Sequence, residues 1–161
     1  MKKIVLTSVL MVLSMLPALA QEAGLPKIYN EEINPIQQID QACADAKKAG
    51  KFVIAQVGGN WCPWCLRFAD FITKDEEIAK VISDNFVYAH VNYPRRGAAA
   101  ELTKKLNNAG RLGYPVFVVF DGDGKIVHVQ DSSYLEEGKG YNKDKTLRFF
   151  KNWTPTALKG E

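Results

Sequence analysis

The sequence predicts an α/β protein in which a mixed central sheet carries helices on both faces. Three observations lead there. Short apolar runs rich in Val, Ile and Phe, at Lys51 to Val57, Phe86 to Val91 and Val116 to Phe120, have the length and content of buried strands. The segments around them place apolar residues at helical spacing. After the third run, the turn Asp121-Gly122-Asp123-Gly124 leads into the alternating Ile126 to Gln130, an antiparallel partner nearer the sheet edge.

In chain order, residues 1–20 read as a signal peptide. Lys2 and Lys3 precede an apolar run from Ile4 to Leu16, and Ala18-Leu19-Ala20 offers small residues for cleavage near Ala20. An uncleaved anchor is the alternative, but the run is short for a span of about 20 residues. Residues 21–33 read as a polar N-terminal arm with at most one short strand around Ile28 and Tyr29, and 34–161 as one domain with a single core. Without the two lysines of the signal, the net charge of +3 becomes +1. Such a balance gives no footprint for nucleic acid. A monomer is expected, exported to the periplasm or another oxidising compartment.

Asn34-Pro35 supplies an N-cap and a first-turn proline, Ile36, Ile39, Cys43 and Ala46 share one helix face, and Gly50 stops the helix. The first strand follows, broken by Gly58-Gly59-Asn60. From Cys62 a second helix puts Cys65, Phe68 and Ile72 on one face, and Asp75 caps a third that carries Ile78, Val81 and Ile82. With the strand at Phe86 this makes a βαβ unit with parallel strands. Ala98, Leu102 and Leu106 mark another helix, ended near Gly110. The chain closes with a loop rich in Gly, Ser and Glu, then a helix from about Lys143 with Leu147, Phe150 and Trp153 as its stripe, ended by Pro155.

The chemistry concentrates at Cys62-Pro63-Trp64-Cys65. A cysteine at a helix N-terminus meets unpaired N–H groups and the positive end of the dipole, so its thiolate is favoured. Cys62 holds that place, as nucleophile, and Cys65, one turn further in, is the shielded sulfur that resolves a mixed disulfide. A structural staple is the alternative, but so small a loop removes little unfolded-state entropy. A zinc site would need four ligands, and beyond this pair only Cys43, His90 and His128 stand as single donors. Covalent haem attachment would need His after the second cysteine, where Leu66 stands.

From Val53 to Cys65, with Trp61 before the pair, and again at Gly113-Tyr114-Pro115 running into Val116 to Asp121, the chain resembles the thioredoxin superfamily, in particular its exported thioredoxin-like members. The resemblance runs from about Asn34 to Trp153 and implies a thioredoxin fold and a thiol-disulfide oxidoreductase using the Cys62–Cys65 disulfide, with no cofactor besides. It implies a cis Pro115 beside the pair, and a substrate-binding surface from Trp61, Pro63, Trp64, Tyr114 and Pro115. Trp64 is expected to face outward; Trp61 reads equally as packing or as docking surface. The implied substrates are disulfides of exported proteins or peptides, with a membrane-bound redox partner. Reductase or electron-transfer activity leads over oxidase or isomerase activity with the same cysteines. A non-catalytic binding module presenting Trp64, Tyr114 and the loop from Asp131 to Tyr141 is the third reading. Two features depart from thioredoxins proper. Gln56 stands where they carry a buried acid, and Pro-Trp replaces their Gly-Pro between the cysteines.

The remaining candidates read as structural. Cys43 lies on an apolar stripe and is expected to be buried and inert. His90 and His128 fall in strands, as satisfied histidines. Asp121 and Asp123 belong to a turn, since Ile126 and Ser132 occupy places where a calcium loop needs Gly and Glu. Arg95-Arg96 and Lys104-Lys105 read as solvated charges.

Overall fold

Asn34 starts the first helix, α1 (Pro35–Ala49), its side chain accepting from the N–H groups of Ile36 and Gln37, and Gly50 ends it at φ 67°. This computed structural model describes residues 24–98 and 100–160. The expected signal peptide and its cleavage point lie outside them. The first strand, β1 (Phe52–Gly58), leads to α2 (Pro63–Lys74). Asp75 closes α2 and caps α3 (Glu76–Asn85), and β2 (Phe86–Asn92) follows, parallel to β1. After α4 (Ala100–Lys105) come β3 (Val116–Phe120) and β4 (Ile126–Asp131). The four strands form one sheet in the order β2-β1-β3-β4, with β3 antiparallel to β1 and β4.

Alternation along β1 feeds two cores. Val53, Ala55 and Val57 pack with Ile39, Cys43 and Ala46 of α1 and Leu102 of α4. On the opposite face Ile54 packs with Phe68 and Ile72 of α2, Ile78 of α3 and Phe150 of α5 (Lys143–Asn152). The expected mixed sheet with helices on both faces is the architecture found.

Three local expectations are corrected. The helix marked by Ala98, Leu102 and Leu106 does not run on towards Gly110. Asn107 and Asn108 turn to φ 50° and 53°, a region asparagine tolerates, and a 3-10 turn (Ala109–Leu112) follows. The loop after β4 holds a 3-10 turn (Ser132–Leu135) and a two-stranded ladder, β5 (Glu136–Glu137) with β6 (Gly140–Tyr141), too short to show periodicity. Pro155 opens α6 (Pro155–Lys159), capped by Thr154. The arm, expected to hold at most one short strand, holds none at Ile28 and Tyr29, and both N–H groups donate to the side chain of Asn60.

Candidate active site

Gly58 ends β1, and the chain turns through Asn60 and Trp61 so that Cys62 becomes the N-cap of α2, with Pro63 at the first helical position. Cys62 and Cys65 are joined as a disulfide, their Cα atoms 5.2 Å apart. The Cys62 sulfur accepts from the backbone N–H of Cys65 at 3.2 Å, and the first turn of α2 carries no acid to oppose the helix dipole. Cys62 keeps 5 % of its surface accessible and Cys65 none. Both are therefore buried, Cys62 at the helix start slightly less than Cys65 one turn further in.

Trp64, expected to face outward, is half-buried, and Trp61, read equally as packing or docking surface, is the more exposed of the two. Trp61 is the exposed one, at 37 %, although its ring lies across the backbone of Gly59. Its Nε1 donates to the Tyr93 carbonyl at 3.2 Å and its ring meets Tyr114 edge-on. Trp64 is half-buried, edge-on to Tyr141 at 5.5 Å with the Arg67 guanidinium 4.7 Å above its ring. Tyr141 fixes this arrangement by donating its hydroxyl to the Trp64 carbonyl at 3.1 Å. Pro63 is exposed, and the Tyr114–Pro115 bond is cis, with Pro115 buried and Tyr114 packed against the Tyr29, Cys62 and Cys65 cluster. Burial, helped by Tyr93, pushes the Tyr114 pKa up to about 12, so its hydroxyl, which lies against Gly110, stays neutral.

Beneath the pair lies Gln56, fully buried. It donates to the Cys65 carbonyl at 3.0 Å and to the Tyr29 hydroxyl at 2.8 Å, and accepts from the Tyr88 hydroxyl at 2.7 Å. Tyr29 is the residue that sequence reasoning missed. Asn60 holds it: its Oδ1 accepts from the Ile28 and Tyr29 N–H groups, each at 3.0 Å, and its Nδ2 donates to the Tyr29 carbonyl at 2.8 Å. The usable signal was an aromatic residue isolated in a polar arm together with an amide side chain next to the motif.

Cys43 is buried on α1, and burial pushes its thiol up against the pull of Lys105. His128 is satisfied, with Nε2 3.0 Å from Gln130 Oε1 and its ring stacked on Trp153 at 3.9 Å. His90 corrects the expectation: its buried Nε2 has no hydrogen-bond partner among the described residues, and burial lowers its pKa towards the neutral ring. The Asp121 carboxylate accepts from the N–H groups of Asp123 and Lys125, as its turn requires. Lys105 is not simply solvated but pairs with Asp40 of α1 at 2.6 Å. Among the described residues no three His, Cys, Asp or Glu side chains gather as a metal site.

A parallel pair joined by a helical crossover, a cysteine pair at the start of that crossover and a proline-led antiparallel strand define a thioredoxin fold. The model of the thioredoxin-like family matches residues 34–122, and the chain belongs to that family. Among curated proteins it is similar to the thiol:disulfide interchange protein DsbD of Escherichia coli K12, 30% identical over 95 residues, which is 58% of this chain and 16% of that protein. DsbD of Yersinia enterocolitica is 26% identical over 107 residues, 66% of this chain and 18% of that protein. The chain thus spans less than a fifth of the length of these relatives. Among solved structures, a disulphide isomerase from Xylella fastidiosa Temecula1 superposes with TM-score 0.68 at 23% identity, over 80% of this chain and 97% of that one. A thioredoxin from Thermus thermophilus gives 0.52 at 20% identity, over 75% and 88%. These two likenesses speak for the fold.

Proposed function

We propose that the protein is a thiol-disulfide oxidoreductase acting on disulfides of exported proteins, as a reductase or electron-transfer thioredoxin. One observation carries the reading: a closed cysteine pair at the start of α2, in which Cys62 caps the helix and keeps 5 % of its surface accessible while Cys65 keeps none. In the reduced protein the Cys62 thiolate attacks a substrate disulfide, forming a mixed disulfide and releasing one substrate thiolate, which takes up a proton. Cys65 then attacks the Cys62 sulfur, closing the pair and releasing the second substrate thiol. Two electrons and two protons pass to the substrate, and the electrons come from the two cysteines alone.

Trp61 and Tyr114 form the exposed side of the docking surface, with Pro63, Trp64 and Pro115 around the pair. A cleft of about 430 Å3 that includes Pro63, Leu66 and Arg67 extends it on the other side. Residues 1–20 serve export, residues 21–33 form the arm and the rest is the redox domain. The compartment is the periplasm, and a membrane-bound partner recharges the pair. The interchange proteins that the chain resembles support this setting.

The decisive experiment combines insulin reduction with a redox titration against glutathione. The wild type is expected to reduce insulin, Cys62→Ser to abolish turnover, and Cys65→Ser to accumulate mixed disulfides through Cys62. A potential clearly more oxidising than the glutathione range would replace the reductase reading by an oxidase or isomerase. Absence of both turnover and trapped partners would leave a binding module.

A further inference from the structure

The hydrogen bonds around Gln56 fix the direction of its amide. The Cys65 carbonyl can only accept, so Nε2 must face it, and the same Nε2 donates to the Tyr29 oxygen. Oε1 is left for Tyr88, whose hydroxyl donates to it. The Tyr29 oxygen is therefore an acceptor, and its own O–H hydrogen has no acceptor among the described residues. That hydroxyl sits beside Cys65. A Cβ placed on Gly58 would lie 2.9 Å from the Tyr29 oxygen and would overlap the Cys65 sulfur, so the two flank one methyl-sized space. Tyr29 and both cysteines form one buried cluster.

We infer that, once the pair is reduced, the Tyr29 hydroxyl donates a hydrogen bond to the Cys65 thiolate and takes over the stabilising task of the missing buried acid. Cys65 needs such a donor, because a fully buried sulfur resists ionising and Gln56 cannot accept its proton. When the Cys65 thiolate attacks Cys62, the Cys62–Cys65 bond forms and the bond from Cys62 to the substrate sulfur breaks. The substrate sulfur leaves with the electron pair and takes up a proton from solvent, equivalent to the one Cys65 lost. Tyr29 keeps its own proton throughout, since burial holds its pKa far above the ordinary tyrosine value. Among the described residues, the other titratable or charged groups around the cluster are Tyr88 and His90 of β2, Tyr114 before β3, Tyr141 of β6, Arg67 over the Trp64 ring and Glu31, whose carboxylate accepts from Asn60 Nδ2; the hydrogen-bonded network of Gln56 itself holds no carboxylate.

The role in turnover rests on the oxidoreductase reading, whereas the hydrogen bond itself can be measured apart from it. In Cys62→Ser, the 13Cβ shift of labelled Cys65 reports its ionisation. Adding Tyr29→Phe is expected to raise the midpoint by about one pH unit or more, the usual worth of a hydrogen bond to a charged group. Adding Tyr88→Phe instead is expected to leave it in place. With both cysteines intact, Tyr29→Phe is expected to slow glutathione release from the mixed disulfide about tenfold or more at neutral pH, with Cys62 alkylation unchanged. An unmoved midpoint in Tyr29→Phe, or equal shifts from Tyr29→Phe and Tyr88→Phe, overturns the inference. Should Tyr29→Phe not fold, the 13Cζ shift of labelled Tyr29 in otherwise wild-type protein decides, because it must follow the Cys65 titration. Normal titration without insulin reduction or mixed disulfides would sink the proposed function and leave this hydrogen bond standing.

Discussion

At Gly58 a single hydrogen atom decides how the site is built. Its missing Cβ leaves the space in which the Cys65 sulfur and the Tyr29 hydroxyl approach each other. Its φ is not in the left-handed region, so the requirement is for room and not for backbone freedom. Gly58→Ala is expected to destabilise the oxidised protein by about 1–3 kcal/mol, the usual cost of overpacking, because backbone and disulfide can yield little. Urea denaturation of the oxidised variant reads this directly, and wild-type stability would show that the sulfur has room to shift. Around this glycine, the sequence made the two cysteines legible because a nucleophile at a helix start needs only local spacing. Tyr29 and Asn60 were not legible, since their meeting depends on a contact across 31 residues that no local pattern records.

Asp75 shows how one residue can join three elements. Its N–H donates to the Phe71 carbonyl and ends α2, its Oδ1 accepts from Glu77 and Ile78 N–H groups at the start of α3, and its Oδ2 meets Lys143 of α5 at 2.9 Å. Lys143 first, then the Ile78 N–H, holds its carboxyl below the usual range. A pKa lowered on folding adds stability that is complete above the unfolded value, about 3.9, and is lost as pH falls through the folded one. Melting temperature is therefore expected to hold from neutral pH to about 5 and to fall below about 4, with Glu77, lowered by Lys151 and Lys143, adding to the slope. Asp75→Asn, which keeps an N-cap without the titration, is expected to flatten the acid limb; an unchanged profile would assign it to other carboxylates. The cap and the helix start it predicts were readable as local chemistry, whereas its pairing with α5 and the short ladder β5–β6 were not. Two-residue strands carry no period, and the asparagine turn that cuts α4 short leaves its apolar spacing intact.

Across the whole molecule, β1 and β3 are sealed between two layers of helices, while the N-terminal arm is held by the Asn60 side chain and by the buried Tyr29 ring. Val116 to Phe120 are all fully buried, so protection of their amides should track global unfolding. The arm, in contrast, is fastened to the loop before the cysteine pair by the four hydrogen bonds of Asn60, with no strand pairing at Ile28 and Tyr29. Removing that side chain leaves two partly buried N–H groups without an acceptor, at about 1–3 kcal/mol each. Such a penalty is comparable with what one buried tyrosine gains from its burial, so opening of the arm competes with closure while the sheet is left intact. Asn60→Ala is therefore expected to speed hydrogen exchange over residues 24–31 by at least tenfold, with little change in the β1 and β3 amides. Equal loss of protection in the arm and in β3 would mean that the arm belongs to the same cooperative unit as the sheet.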